Sequence, residues 1–192
     1  MKFEKWILII IILLAFGWLF YLDFVPGDSF MASYDFCSAT SRVTELSPGN
    51  RLWPLEKNNN ECWQRIGDSP VYFYARTPQK FERAVVTIKF KNPVGQKFQV
   101  GPQVVKDEWQ WRLQDIAEIK KEGEWSVAIL NFDLENIYQN ANHMRWLISA
   151  PEVLEKKELL AVSEISIRWE KEKLNFSNLG EQIKSYLRKI IR

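Results

Sequence analysis

The stretch WILIIIILLAFGWLFYL, Trp6 to Leu22, holds no charged and no strongly polar side chain. A helix buried in a soluble core shows a polar face somewhere along its length, and this segment has none. As a helix rising roughly 1.5 Å per residue it covers about 26 Å. That is close to the roughly 30 Å hydrocarbon core of a bilayer, and Phe3, Phe24 and Val25 extend it. The sequence therefore predicts a single membrane span over 6–25. A cleaved signal peptide normally has a shorter apolar region, about 7–15 residues, and a small-x-small cleavage site. The nearest match, Phe30-Met31-Ala32, puts a ring where a small residue is wanted, so retention as a signal anchor is the expectation.

Lys2 and Lys5 flank the short side of this run, whereas Asp23 and Asp28 follow it, with no basic residue until Arg42. Positive charge stays on the cytoplasmic side, which predicts a cytoplasmic-membrane protein with residues 1–5 inside and the bulk outside. No small-xxx-small pattern or polar group marks the span for helix pairing, so it reads as a tether.

Beyond the span the organisation changes twice. Residues 26–69 are rich in turn formers, with PGD, SPGN and KNNNEC, and lack a sustained period; they read as a stalk or irregular lead-in. From 70 to 172 the period is two. VYFYAR sets Val71, Phe73 and Ala75 against Tyr72, Tyr74 and Arg76, and VVTIKFK sets Val86, Ile88 and Phe90 against Thr87, Lys89 and Lys91. KFQVG, EWQWRL, WSVAILNF, MRWLIS and EISIRWE follow, divided by turn sequences. The expected fold is mainly β, an antiparallel sandwich of the jelly-roll kind. Seven of the nine tryptophans lie beyond residue 30, which supplies large rings for its core.

Residues 173–192 read as an amphipathic helix. Asn178 stands three residues before Glu181 as a cap, and Leu179, Ile183, Leu187 and Ile190 fall on one face. That face has three possible occupants: the chain's own sandwich, a partner protein, or an anionic membrane surface.

Cys37 and Cys62 both follow the span, in a compartment where disulfides persist. They form either a bridge or two unpaired, partly buried thiols, since two cysteines define no pattern. No Cys-x-x-Cys spacing occurs and His143 is the only histidine, so neither a metal site nor a cofactor is expected. The net charge of +2, from 26 basic and 24 acidic residues, provides no broad field for nucleic acid.

Catalytic motifs are missing too: there is no Gly-x-Ser-x-Gly elbow, no His-Glu-x-x-His pair and no phosphate-cradling loop. Asp133 and Glu135, two apart in NFDLEN, share one face of an extended segment and read as a solvated pair; a glycosidase pair must flank a cleft at a defined separation, which spacing along the chain does not show. No enzyme activity is expected.

RWLISAPEVLEKKELLAVSEISIRW, with WSVAIL as a preceding core strand, resembles the closing portion of galactose-binding-like jelly rolls, the fold of many carbohydrate-binding modules. The resemblance spans about residues 70–170 and is similar to that of ectodomains of bacterial single-pass proteins. It implies a non-catalytic binding module for a glycan or other envelope component, and transfers no binding residue, because ligand loops vary on such folds. The alternative is an assembly subunit that holds an envelope protein partner through its tether, lead-in and terminal helix.

The aromatic residues that could meet a ligand are Tyr72, Tyr74, Trp109 and Trp111. Trp109, Trp111 and Leu113 make the more apolar side of EWQWRL, and strands turn that side inward. This predicts core for the two indoles and exposure for Tyr72 and Tyr74, a sugar platform on Trp109 and Trp111 being the alternative.

Overall fold

In the computed structural model the described residues are 7, 9–15, 17 and 29–171, the last range without 39–41, 60, 78–80, 94, 96, 107, 118–119, 141 and 154–159. The expected terminal helix, with Leu179, Ile183, Leu187 and Ile190, lies outside them. Among the described residues no helix is long and apolar enough to cross a membrane. Ile7, Ile9–Leu14, Ala15 and Gly17 are helical and exposed to solvent.

The strands are β1 (Ser29–Asp35), β2 (Glu56–Asn58), β3 (Glu61–Ile66), β4 (Val71–Arg76), β5 (Arg83–Lys91), β6 (Gln99–Pro102), β7 (Gln114–Asp115), β8 (Lys120–Glu122), β9 (Trp125–Asp133), β10 (His143–Ser149) and β11 (Leu160–Glu170). One sheet runs β2-β3-β11-β5-β9-β8, with β1 also on β11, and the other runs β4-β10-β6-β7. Among the described residues the strand pairings within each sheet are antiparallel.

Alternation explains the layering. Along β5, Ala84, Val86, Ile88 and Phe90 are buried while the residues between them stay partly exposed, as a half-buried strand demands. On β4 Val71, Phe73 and Ala75 are buried in the same way, although Tyr72 between them is covered as well. The two inner faces meet in one hydrophobic core. At its centre Trp146 of β10 stacks with Phe73 at 6.2 Å, meets the edge of Phe132 of β9 at 5.2 Å and lies 6.0 Å from Trp169 of β11. These are separations at which offset and edge-to-face pairs attract.

The sandwich begins earlier than residue 70. β1 and β3 lie end to end on one side of β11: Asp35 opposes Glu164, and Gln64 opposes Val162. The register of β11 against β5 shifts between Val162 and Glu164, where one neighbour gives way to the other. Cys37, just past β1, is bonded to Cys62 in β3, so a disulfide ties the two collinear strands at that junction.

Residues 42–47 then follow the free edge of β4, with Thr44 N–H donating to Tyr74 C=O at 2.8 Å and reciprocal bonds joining Ser47 and Tyr72. The described part of the lead-in is thus sheet structure, not a stalk: residues 42–47 line the edge of β4, while β3 pairs with both β2 and β11. Edge segments need only a ladder partner on one side, and that requirement leaves little hydrophobic period to read.

Candidate functional site

The site lies on the outer face of the smaller sheet. Tyr72 and Tyr74 point outward from β4; across the ladder, Arg145 on β10 opposes Tyr74, and Leu147 opposes Tyr72. On the far side of β10, Gly101 of β6 opposes Leu147, and Gln103 N–H donates to the Arg145 carbonyl at 3.0 Å.

After β6 the chain turns back over this face. Val104 N–H donates to Gln110 C=O at 2.8 Å and Arg112 N–H to Pro102 C=O at 3.0 Å, while Gln103 bridges to Trp111. The buried Gln103 amide donates to the carbonyls of Val105 and Glu108 at 3.0 and 3.1 Å, which holds the turn from inside. Arg112 reaches the carbonyls of Asp133 and Glu135, its Nη1 lying 2.6 Å and its Nη2 3.3 Å away. Asp133 and Glu135 themselves form a turn, with the Asp133 carboxylate accepting from Glu135 N–H at 2.9 Å.

Gly101 makes this crossing possible, since a Cβ there would lie 2.0 Å from the Arg112 carbonyl oxygen. Any side chain must push the returning segment off the sheet. Gly101→Ala is therefore expected to destabilise the fold by about 1–3 kcal/mol, as overpacking does, and to alter the emission of Trp109 and Trp111. A melt and an emission spectrum identical to those of the parent would refute the close crossing.

The returning segment lies above a sheet that already has its inner face filled, so its indoles do not enter the core. Trp109 is 70% exposed and Trp111 half-buried. The expectation of core is overturned for both indoles, as is the strand over EWQWRL; only Trp111 makes an isolated bridge. Alternation shows which residues share a side, but not which side faces protein.

Tyr72 is corrected in the opposite direction. It is only 8% exposed, because Trp109 and Trp111 cover it at 6.0 and 5.7 Å. Tyr74, at 39%, is exposed as expected.

The structure brings the four aromatic residues together around a residue that the sequence reading had passed over. The Arg145 guanidinium carbon lies 4.4 Å from the Tyr72 ring centre, 5.4 Å from Trp109, 5.7 Å from Tyr74 and 5.8 Å from Trp111, within cation–π range. Its only sequence signal was a charge on the polar side of MRWLIS.

Beside this cluster is an open hollow of about 310 Å³. Tyr74 and Trp109 contribute ring surface to it, while Lys106, Arg145 and His143 contribute nitrogen groups. Gln103, Glu108, Tyr138 and Asn140 complete a polar rim. Its size falls at the lower end of small-molecule sites, roughly 300–1,000 Å³. His143 is an exposed residue at the start of β10. Among the described residues no three His, Cys, Asp or Glu side chains gather to hold a metal ion.

No protein-family model matches this sequence, and no curated protein does. Solved structures similar to it include carbohydrate-binding modules. The CBM22-1 xylan-binding domain of Paenibacillus barcinonensis Xyn10C is 10% identical, with 77% of this chain and 99% of that domain covered at a TM-score of 0.48. For a family 35 carbohydrate binding module from Clostridium thermocellum the identity is 10%, the coverage 72% and 97%, and the TM-score 0.45. CBM29_1, a family 29 carbohydrate binding module from Piromyces equi, is 8% identical over 78% of this chain and 96% of the module, with a TM-score of 0.45. No binding residue is carried over from them.

Proposed function

We propose that this chain is a non-catalytic glycan-binding module, held at the outer surface of a membrane by its amino-terminal apolar segment. The observation that carries the binding half is Trp109, a large indole 70% exposed and seated at the edge of a polar hollow beside Tyr74. Sugar rings offer apolar C–H faces and a rim of hydroxyls. An exposed indole covers the first, while Gln103, Asn140, Glu108 and Tyr138 offer donors and acceptors to the second.

The anchoring half is supported by the uncharged run from Trp6 to Leu22 and by the exposed helical side chains Ile7 and Ile9–Leu14. Apolar side chains exposed in such a row find a favourable surrounding in hydrocarbon. The Cys37–Cys62 bond is of the kind that persists in oxidising compartments outside the cytoplasm.

Trp109→Ala is the deciding variant. It should melt within about 0.5 kcal/mol of the parent, as exposed substitutions usually do, while losing roughly tenfold or more in affinity for whichever oligosaccharide the full-length chain, in detergent micelles, retains on a glycan array. Glycan binding that survives the substitution unchanged would remove Trp109 from the site. An array with no retained glycan at all would defeat the proposed function.

A further inference from the structure

We propose that the hollow is built for an acidic sugar, with the Arg145 guanidinium receiving the carboxylate of a uronic acid residue; the proposal rests on the glycan-binding reading above and names its ligand class. Lys171 lies over Phe81 at 5.6 Å, and four further cations lie over aromatic rings with oxygen partners. Arg42, over Phe30, donates to the Met31 carbonyl at 3.4 Å. Arg65, over Trp53, is paired with Glu56. Lys89 and Lys91, over Trp125, reach Glu61 at 3.3 Å and Glu124 at 2.6 Å. Each has an oxygen to neutralise or accept from it.

Arg145 is different. It sits among four rings, its Nε is buried with no hydrogen-bond partner, and among the described residues no carboxylate pairs with it. Burying Nε without an acceptor is costly, and the side chain as a whole is only half-buried, which leaves it open to a bound anion. The planar fork suits a carboxylate, which it can hold through two parallel bonds.

Charge at the rim agrees with a monoanion. Of the described charged side chains lining the hollow, Lys106 and Arg145 stand against Glu108, and one Glu108 oxygen already accepts from the Gln110 amide at 2.6 Å. Trp109 and Tyr74 border the same space. A pyranose ring stacked there can present its carboxylate to Arg145 and its hydroxyls to Tyr138 and Asn140.

The test uses the full-length chain in detergent micelles and pairs of oligosaccharides that differ in one group. Oligomers of galacturonate, glucuronate and mannuronate are each compared with their carboxyl-reduced, neutral counterparts, and poly(glycerol phosphate) is included as a phosphate-bearing probe. At least one acidic member should bind about tenfold or more tightly than its reduced partner, the factor expected of a charge-assisted pair. Arg145→Gln should bring that pair to equal affinity, Arg145→Lys should restore only part of the preference, and Trp109→Ala should weaken both members alike.

Equal binding within every pair, or binding of neutral glycans alone, would overturn the acidic assignment while leaving the glycan reading intact. Binding of poly(glycerol phosphate) without any uronate would replace the carboxylate with a phosphate. Binding of no saccharide would overturn both readings. Should Arg145→Gln fail to fold, ionic strength decides: raising it from about 0.05 to about 0.5 M should weaken the acidic members only, because salt screens charge pairs, and an equal effect on the reduced members would overturn the assignment.

Discussion

Replacing Trp146 by alanine should cost the fold about 3–5 kcal/mol, the range found when a buried indole is removed from a core. Trp146 is fully buried at the meeting point of both sheets, touching Phe73, Phe132 and Trp169. Neighbours held in three separate strands cannot easily collapse into the space it leaves. With typical domains stable by roughly 5–15 kcal/mol, the variant should unfold at much lower denaturant concentration, with an unchanged slope.

A companion variant isolates the reason. The Trp146 Nε1–H is buried without a partner, so Trp146→Phe removes ring volume but breaks no hydrogen bond and eliminates an unsatisfied donor. It should cost well under half as much as the alanine variant. Equal losses for phenylalanine and alanine would show that ring packing is not what Trp146 contributes.

Loss of the disulfide is the second large effect. Cys37 and Cys62 are separated by 25 positions, and the chain-entropy model assigns a loop of this size about 3 kcal/mol. The double variant Cys37→Ala/Cys62→Ala should therefore melt about 6–12 °C lower for a domain of roughly 150–250 residues. Alanine suits the buried Cys62 position, where a serine hydroxyl would require a partner.

The position of the bond predicts a local effect as well. It joins the end of β1 to β3 at the point where both meet β11, so amide exchange in Ser29–Asp35 should accelerate more than in β5 or β9. Unchanged melting, together with unchanged exchange in β1, would show that ladder bonds alone hold the lead-in.

What the sequence determined by itself is what depends on neighbours along the chain. Side chains alternate across a strand whatever the partner, so Val71, Phe73 and Ala75, and likewise Val86, Ile88 and Phe90, were assigned to the buried face before any pairing was known, and the structure buries them. The uncharged run from Trp6 to Leu22 is equally local, and its expected role at a membrane follows from composition and length.

Tertiary structure decided everything that required a remote partner. Strand identity leaves the ladder open, and only the fold placed β1 and β3 on the same side of β11 and so brought Cys37 to Cys62. Trp109 and Trp111 share a side in any extended segment, but the close passage over Gly101 put that side on an outer face, exposing Trp109 and covering Tyr72. Arg145 is one charge on an alternating strand until β4 and the returning segment supply its rings. A binding site is built from groups distant in the chain, and the forces that gather them are the packing and hydrogen bonding of the whole sandwich, which no local period encodes.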